Sequence, residues 1–273
     1  MFINTDKPLI MGILNITPDS FSDGGKFTEL NIALQQVQRM QAEGVDIIDI
    51  GGESTRPGSD PVSQDEQIQR VVPVITAIRQ QLNCSLAISI DTTSSVVAKA
   101  ALDAGATIIN DVSGGLADPA ILTLAATTNT PIILMHSKGT PKTMQDHPYY
   151  DDVIAEVIAA LKQCIAAALA AGIKKQNIIL DPGIGFGKRK QDNLDLLAHL
   201  DALVALGFPV LLGASRKRFM GTLCYVSEPS ELVTATAVTT ALGVMAGVQL
   251  FRVHDVKENR QAADVTYAIR QSR

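Results

Sequence analysis

Polar residues able to do chemistry recur in this chain at regular places, each at the end of a short apolar run. In order they are Asn15; Glu53 with Thr55 and Arg56; Asp91; Asn110; His136; Asp181; Ser215 with Lys217; and Arg252 with His254. The set offers carboxylates, amides and cations, but no activated nucleophile. Ser215 lies in Gly213-Ala214-Ser215-Arg216-Lys217 rather than in a G-x-S-x-G turn, and no base stands beside Cys84, Cys164 or Cys224. His136, His147, His199 and His254 lack the i, i+4 pairing of a zinc helix; His199, in a helical stretch, reads as a surface residue. Such a rim suits direct displacement of a good leaving group. Asn, Asp and Ser after a strand also serve as helix caps, so each has a purely structural alternative. Arg56, Lys217 and Arg252 do not share it, because cations are disfavoured beside helix N-termini. Three cations on one rim imply an anionic ligand.

The elements that must position these residues are read from hydrophobic pattern. Strands are expected at 9–14, 45–50, 86–90, 107–109, 132–135, 178–180, 210–212 and 248–253, with helical patterns between them. One unit recurs: a helical stretch, a glycine, then a β-branched run, as at Gly44, Gly105 and Gly247. Each glycine reads as a left-handed helix C-cap. Asp151-Asp152 reads as a helix start, with Val153, Val157, Leu161, Ile165 and Leu169 repeating every four residues. Strands apolar throughout, alternating with helices, imply a parallel sheet covered by helices. Eight units in this length fit an α/β single-domain (β/α)8 TIM barrel better than an open doubly wound sheet, and the strand-end polar residues then share its C-terminal rim.

Composition sets the frame. The chain has 273 residues, 23 Lys+Arg against 28 Asp+Glu and a formal charge of −5, so nucleic acid and anionic membrane are not expected partners. With 46% hydrophobic and 19% charged residues and no Trp, the core must be built from Ile, Leu, Val and Ala. Three scattered cysteines without metal spacing suit buried thiols in a reducing compartment. The first eight residues hold no apolar signal core, and the uncharged stretch 232–251 reads as a buried helix running into a strand. A cytoplasmic location is expected. No linker divides the chain, so residues 1–273 are read as one domain.

Three loops are richer than a connection needs. Segments 15–25 and 51–58 mix Gly with polar groups and read as lids able to exclude water. Segment 181–188, Asp-Pro-Gly-Ile-Gly-Phe-Gly-Lys, is neither a Walker A loop nor a dinucleotide fingerprint. Its glycines would let a ligand ring lie against backbone, with Phe186 as an apolar wall.

Taken together, these motifs resemble the bacterial dihydropteroate synthases, from Met11-Gly12-Ile13-Leu14-Asn15 through Met135-His136 and Gly139-Thr140-Pro141-Lys142-Thr143-Met144 to Arg252-Val253-His254-Asp255. The resemblance implies condensation of (7,8-dihydropterin-6-yl)methyl diphosphate with 4-aminobenzoate to give dihydropteroate and diphosphate in folate synthesis. It implies that Asp91, Asn110 and Asp181 hold the pterin. Lys217 would contact the pterin and close the site, and Arg56, Arg252 and His254, with Thr55 close by, would hold the diphosphate end. Lys217, Arg252 and His254 are the residues expected to act in the chemistry. Thr55, Pro57, Phe186, Lys217 and Phe21 would form the aminobenzoate pocket, and Asn15 would ligate Mg²⁺. The family also implies a homodimer, for which the small apolar helix at 232–245 is a candidate contact, with burial in the monomer as its alternative. Two positions depart from relatives: Arg218 stands where some carry Ser, and Ile184 where Phe is frequent. A pterin-binding methyltransferase-like barrel would not need Arg56, Arg252 and His254, and a non-catalytic pterin-binding paralogue would show gaps at Asn15, Lys217 or the lids.

Overall fold

In the computed structural model, residues 7–16, 26–54, 58–139, 143, 144, 146 and 148–273 are described. Eight parallel strands alternate with helices: β1 (Leu9–Asn15), β2 (Ile47–Gly51), β3 (Ala87–Asp91), β4 (Ile108–Asp111), β5 (Ile132–Met135), β6 (Ile178–Asp181), β7 (Leu211–Leu212) and β8 (Leu250–Val253). The helices are α1 (Lys26–Ala42), α2 (Gln64–Gln80), α3 (Ser95–Ala104), α4 (Ala120–Thr127), α5 (Val153–Ala170), α6 (Lys190–Ala198), α7 (Leu200–Val204), α8 (Arg218–Cys224), α9 (Val233–Ala246) and α10 (Val256–Gln271). The sheet runs β6-β5-β4-β3-β2-β1-β8-β7. A single parallel bridge, Leu180 to Val210, joins its two ends. The chain is a single (β/α)8 barrel.

Period-two alternation along the strands builds two cores. Ile10, Ile48, Ile88, Ile109, Ile132, Leu180, Leu212 and Phe251 face outward under the helices. Met11, Ile47, Ala87, Ile108, Ile133, Ile179, Leu211 and Leu250, one from each strand, fill the barrel interior. This apolar layer is a floor. Two residues further along the same strands stand Ile13, Asp49, Ser89, Asn110, Met135, Asp181, Gly213 and Arg252. Asp49, Asn110, Asp181 and Arg252 are therefore held by strand backbone, whereas Ser215, Lys217 and His254 follow in the loops.

That placement corrects the expected strand ends. Asn15, Asp91, Asn110 and Asp181 belong to the strands, because the ladder continues through Asn15–Gly51–Asp91 and Asp91–Asn110. They do not cap helices: Ser63 caps α2, Ser94 caps α3 and Asp152 caps α5. The left-handed glycines behave as expected, with φ of 87°, 116° and 96° at Gly44, Gly105 and Gly247. On α5, Val153, Val157, Leu161 and Ile165 are buried but Leu169 is 44% exposed. A step of four residues advances 40° beyond a full turn, so the line leaves the core and Cys164 and Ala168 take its place. Helix α5 is long and apolar enough to cross a membrane by length and composition alone, yet here its apolar side packs on the barrel. Cys84 and Cys164 are buried as expected, whereas Cys224 is exposed.

Candidate active site

At the centre of the rim an arginine is clamped between two carboxylates. Arg252, interior on β8, donates from Nε to Asp49 Oδ2 and from Nη2 to Asp91 Oδ2, both at 2.6 Å. Asp49 is fully buried and also accepts from Asn110 Nδ2 at 3.3–3.4 Å. The cation was expected to face an anionic ligand; the protein itself supplies two anions to it. Alternation on β2 is the cause, since Asp49 is interior two residues after Ile47. Arg252 therefore does not by itself imply an anionic ligand, and its guanidinium plane is fixed from two sides.

The array is not fully satisfied. Asp91 Oδ1 and the Ser89 hydroxyl are buried without a hydrogen-bond partner among the described residues. A buried acceptor left open is costly, on the order of 1–3 kcal/mol, and such cost is tolerated where a ligand supplies the missing donor. Burial pushes the Asp91 carboxyl up to about 7 against the pull of Arg252. Burial likewise raises Asp181 to about 6, opposed by the Gly183 N–H that its Oδ1 accepts at 2.7 Å. Lys217 is pushed down to about 8 by burial and then by Arg252, while Asp181 and Asp91 pull it back. These couplings place Lys217, Arg252, Asp91 and Asp181 around one space. Carboxyls that hold or release a proton near neutrality, beside an amide and two cations, can grip the N–H edge of a heterocycle and stabilise charge on it.

Two flanks complete the site. The Lys217 ammonium lies over the Phe186 ring, 4.2 Å from its centre, joining the β6 exit to the β7 exit. Ser215 Oγ meets His254 Nδ1 at 3.0 Å and accepts from the His254 backbone N–H at 3.1 Å. One residue on in each loop, Arg216 grips Asp255 through Nε at 2.9 Å and Nη2 at 2.5 Å. The β7 and β8 exits are thereby locked together.

Of the expected residues, Asp91, Asn110, Asp181, Lys217 and Arg252 meet at this rim, Phe186 covers Lys217, and His254 stands beside them through Ser215. Asn15 reaches the rim in register with Gly51 and Asp91. Phe21, Thr55, Arg56 and Pro57 lie outside the described residues, as does most of the first expected lid, together with Thr140, Pro141, Lys142 and His147. His199 is exposed, as read. Asp49 and Lys188 were missed as site-forming groups. A signal for Asp49 existed: a carboxylate at an interior position of a strand otherwise apolar needs a buried cation, and Arg252 was the interior cation on offer.

Known proteins resemble this chain in sequence and in fold. Residues 11–254 match the family of pterin binding enzymes. The dihydropteroate synthase of Synechocystis sp. is 46% identical over 263 residues, covering 96% of this chain and 90% of that one. The solved structure of Yersinia pestis dihydropteroate synthase with a sulfonamide drug complex superposes with a TM-score of 0.90 at 45% identity, covering 97% of this chain and 95% of that chain.

The chain belongs to the pterin-binding enzymes.

Within them it has the function of a dihydropteroate synthase, a transferase of folate biosynthesis. The Xanthomonas albilineans dihydropteroate synthase, solved with 4-aminobenzoic acid, agrees in fold at a TM-score of 0.89 and 45% identity, covering 97% of this chain and 93% of that chain.

Proposed function

We propose that this rim binds the dihydropterin diphosphate through Asp91, Asn110 and Asp181 on the ring, with Lys217, Arg252, His254 and Arg56 toward the diphosphate. The single observation that carries this reading is the open, buried Asp91 Oδ1 beside the Asp49–Arg252–Asp91 clamp. An aminopyrimidine edge supplies the donor that this oxygen lacks. Departure of diphosphate leaves positive charge on the methylene carbon, which the electron-rich pterin shares and the carboxylates stabilise. The amine of 4-aminobenzoate then forms the new C–N bond in a pocket of Thr55, Pro57, Phe186, Lys217 and Phe21. Its proton becomes acidic once that bond forms, so no dedicated base is required.

Asn15 fits an Mg²⁺ carried by the substrate better than a protein-built metal cage. A Cβ at Gly51 would lie 3.6 Å from Asn15 Oδ1, so no side chain of that residue crowds the amide oxygen. Among the described residues no group of three His, Cys, Asp or Glu gathers to hold an ion. One amide oxygen with diphosphate and water oxygens suits Mg²⁺. When bound, it neutralises charge on the leaving diphosphate.

The same reading includes a homodimer and a cytoplasmic location. Helix α9 has two faces. Thr236, Thr240 and Gly243 are buried, and Val238 and Leu242 are each 54% exposed. The exposed side borders an apolar groove of about 700 Å³ with Leu194, Leu197, Phe219 and Leu223. Its continuity across α6, α8 and α9 supports a second copy of this chain as its occupant, and Leu242→Glu should yield monomers by light scattering.

The deciding experiment is diphosphate release with both substrates, with and without Mg²⁺. Release that requires both organic substrates and Mg²⁺ is the expected result. Folded protein that binds pterin but releases no diphosphate would leave only a binding role.

A further inference from the structure

The β6 exit holds a buried lysine that the chemistry above does not use. Lys188 is 3% exposed, and among the described residues no carboxylate pairs with it. Its Nζ instead meets three acceptors: His136 Nδ1 at 2.9 Å, the Phe186 carbonyl at 3.0 Å and the His136 carbonyl at 3.4 Å. An ammonium has three donors and no acceptor. The three contacts match that valence when the amine is protonated, with His136 Nδ1 then accepting. Burial lowers this amine to about 7, with the charge of Asp181 the first to oppose it; an amine hydrogen-bonded to neutral groups alone is costly to bury, which asks what its position achieves.

It closes a loop that is otherwise shaped by backbone meeting backbone. Gly183 and Gly187 both have left-handed φ, 67° and 65°. A Cβ at Gly183 would lie 1.9 Å from the His136 carbonyl oxygen, and one at Gly187 would lie 2.1 Å from that of Lys138. The loop thus lies flat on the β5 exit at two points. Between them, Lys188 ties down the Phe186 carbonyl from within. From α6, Asn193 Oδ1 accepts from the Gly185 N–H at 2.6 Å, and its Nδ2 donates to the Arg189 carbonyl at 2.8 Å. The segment presented between these ties is Gly185-Phe186, whose ring lies over the Lys217 ammonium.

We propose that Lys188 is a positioning residue: by stapling the Phe186 carbonyl to the β5 exit, it presets the Phe186 wall against which the aminobenzoate ring packs. The proposal rests on the assignment of that pocket above. Asp181 and Asn110, proposed above to hold the pterin, sit in strands, and the Gly183 N–H that Asp181 accepts is seated by its own close approach to the His136 carbonyl rather than by Lys188. Lys188 therefore acts on one substrate and not the other.

Two measurements on Lys188→Met test it, both against the parent protein. Amide hydrogen exchange reads the staple without reference to activity. Peptides covering 182–188 should exchange about tenfold faster or more, with those of β3 and β4 unchanged. Steady-state kinetics reads its consequence. KM for 4-aminobenzoate should rise about ten- to a hundredfold, with KM for the pterin diphosphate within about threefold. Phe186→Ala should show the same split, and Lys188→Met added to Phe186→Ala should cost little more, because both act through one wall. Unchanged exchange at 182–188 would overturn the staple. Equal loss of both substrates, or failure of Lys188→Met and Lys188→Gln to fold where Phe186→Ala folds, would make Lys188 a scaffold residue and overturn its selective role. A parent protein that makes no dihydropteroate would instead remove the substrate reading, while the exchange result would still judge the staple.

Discussion

Two arginines at opposite ends of the barrel are held in contrasting ways. Arg79, on α2 near the N-terminal face, gives Nε and Nη2 to the Gly105 carbonyl, at 3.0 and 2.8 Å, and Nη1 to the carbonyls of Cys84 and Leu86, both at 2.7 Å. Its partners are neutral backbone groups of two helix-to-strand connections, and burial lowers its pKa. Arg252, at the C-terminal rim, is held by two carboxylates, one of which, Asp91, keeps an oxygen without a partner among the described residues. One arginine closes unfilled acceptors left by the chain. The other keeps two charged groups poised with a valence left over. The contrast lies between these two arginines and not between whole ends of the barrel, because Arg260 Nε, beside Asp46 and Pro8, also lacks a partner among the described residues.

The largest expected effect breaks this comparison most directly. Arg252→Met should lower kcat/KM about a thousandfold or more, since electrostatic groups at a reacting centre commonly carry several kcal/mol. It also strands Asp49 and Asp91, which should cost stability on the order of 3–5 kcal/mol. Arg79→Met should instead lower stability by about 2–4 kcal/mol, from carbonyls left without donors, and leave kcat/KM of the folded enzyme within about twofold. Denaturant titration beside diphosphate release separates the two. A tenfold loss of kcat/KM in folded Arg79→Met would erase the distinction.

Asp49→Asn is the next test, because it touches the clamp without touching the open Asp91 oxygen. The amide keeps shape and removes one of the two charges holding Arg252. A loss of about ten- to a hundredfold in kcat/KM is expected, with KM for the pterin substrate rising more than that for 4-aminobenzoate. Equal activity would mean that Asp91 alone orients the guanidinium.

A pH experiment sharpens the same contrast. The folded pKa of Asp91 is raised above its unfolded value, to about 7. Native protein therefore holds this proton more tightly than the unfolded chain. The associated stability is fully present below about pH 4, and it is lost as pH rises through about 7. Relative to Asp91→Asn, the parent should lose on the order of 4 kcal/mol across that window. Parallel stability curves for the two proteins would show that the burial of Asp91 leaves its proton affinity unchanged.

How far the fold and site could be read from the chain follows from the same physics. The barrel was legible because each strand is apolar on both sides, and the glycines at 44, 105 and 247 end their helices before a strand. Asp91, Asn110, Asp181 and Lys217 were legible as rim residues because they fall where apolar runs stop. The Asp49–Arg252 contact was not, since the residues lie 203 apart in sequence and only barrel closure brings β8 beside β1 and β2. Lys188 was hidden for another reason. A lysine after a glycine-rich loop reads as solvated, and its burial depends on the β5 exit lying underneath it. Leu169 misled in the opposite sense, through a period of four that outruns the helical 3.6.

The smallest effect belongs to the flank where rim and scaffold meet. Ser215 Oγ accepts the His254 backbone N–H and meets its Nδ1, so it fixes both position and ring orientation. The Arg216–Asp255 pair holds the same two loops in parallel. Removing the hydroxyl in Ser215→Ala therefore leaves the loops joined while withdrawing the partner of the His254 backbone N–H and of its Nδ1. A loss of about three- to tenfold in kcat/KM is expected, the worth of one modest hydrogen bond, with weaker product inhibition by diphosphate and unchanged KM for 4-aminobenzoate. Should inhibition by diphosphate stay the same, His254 would belong with Arg79 among the residues that hold the barrel, not with Arg252 among those that use it.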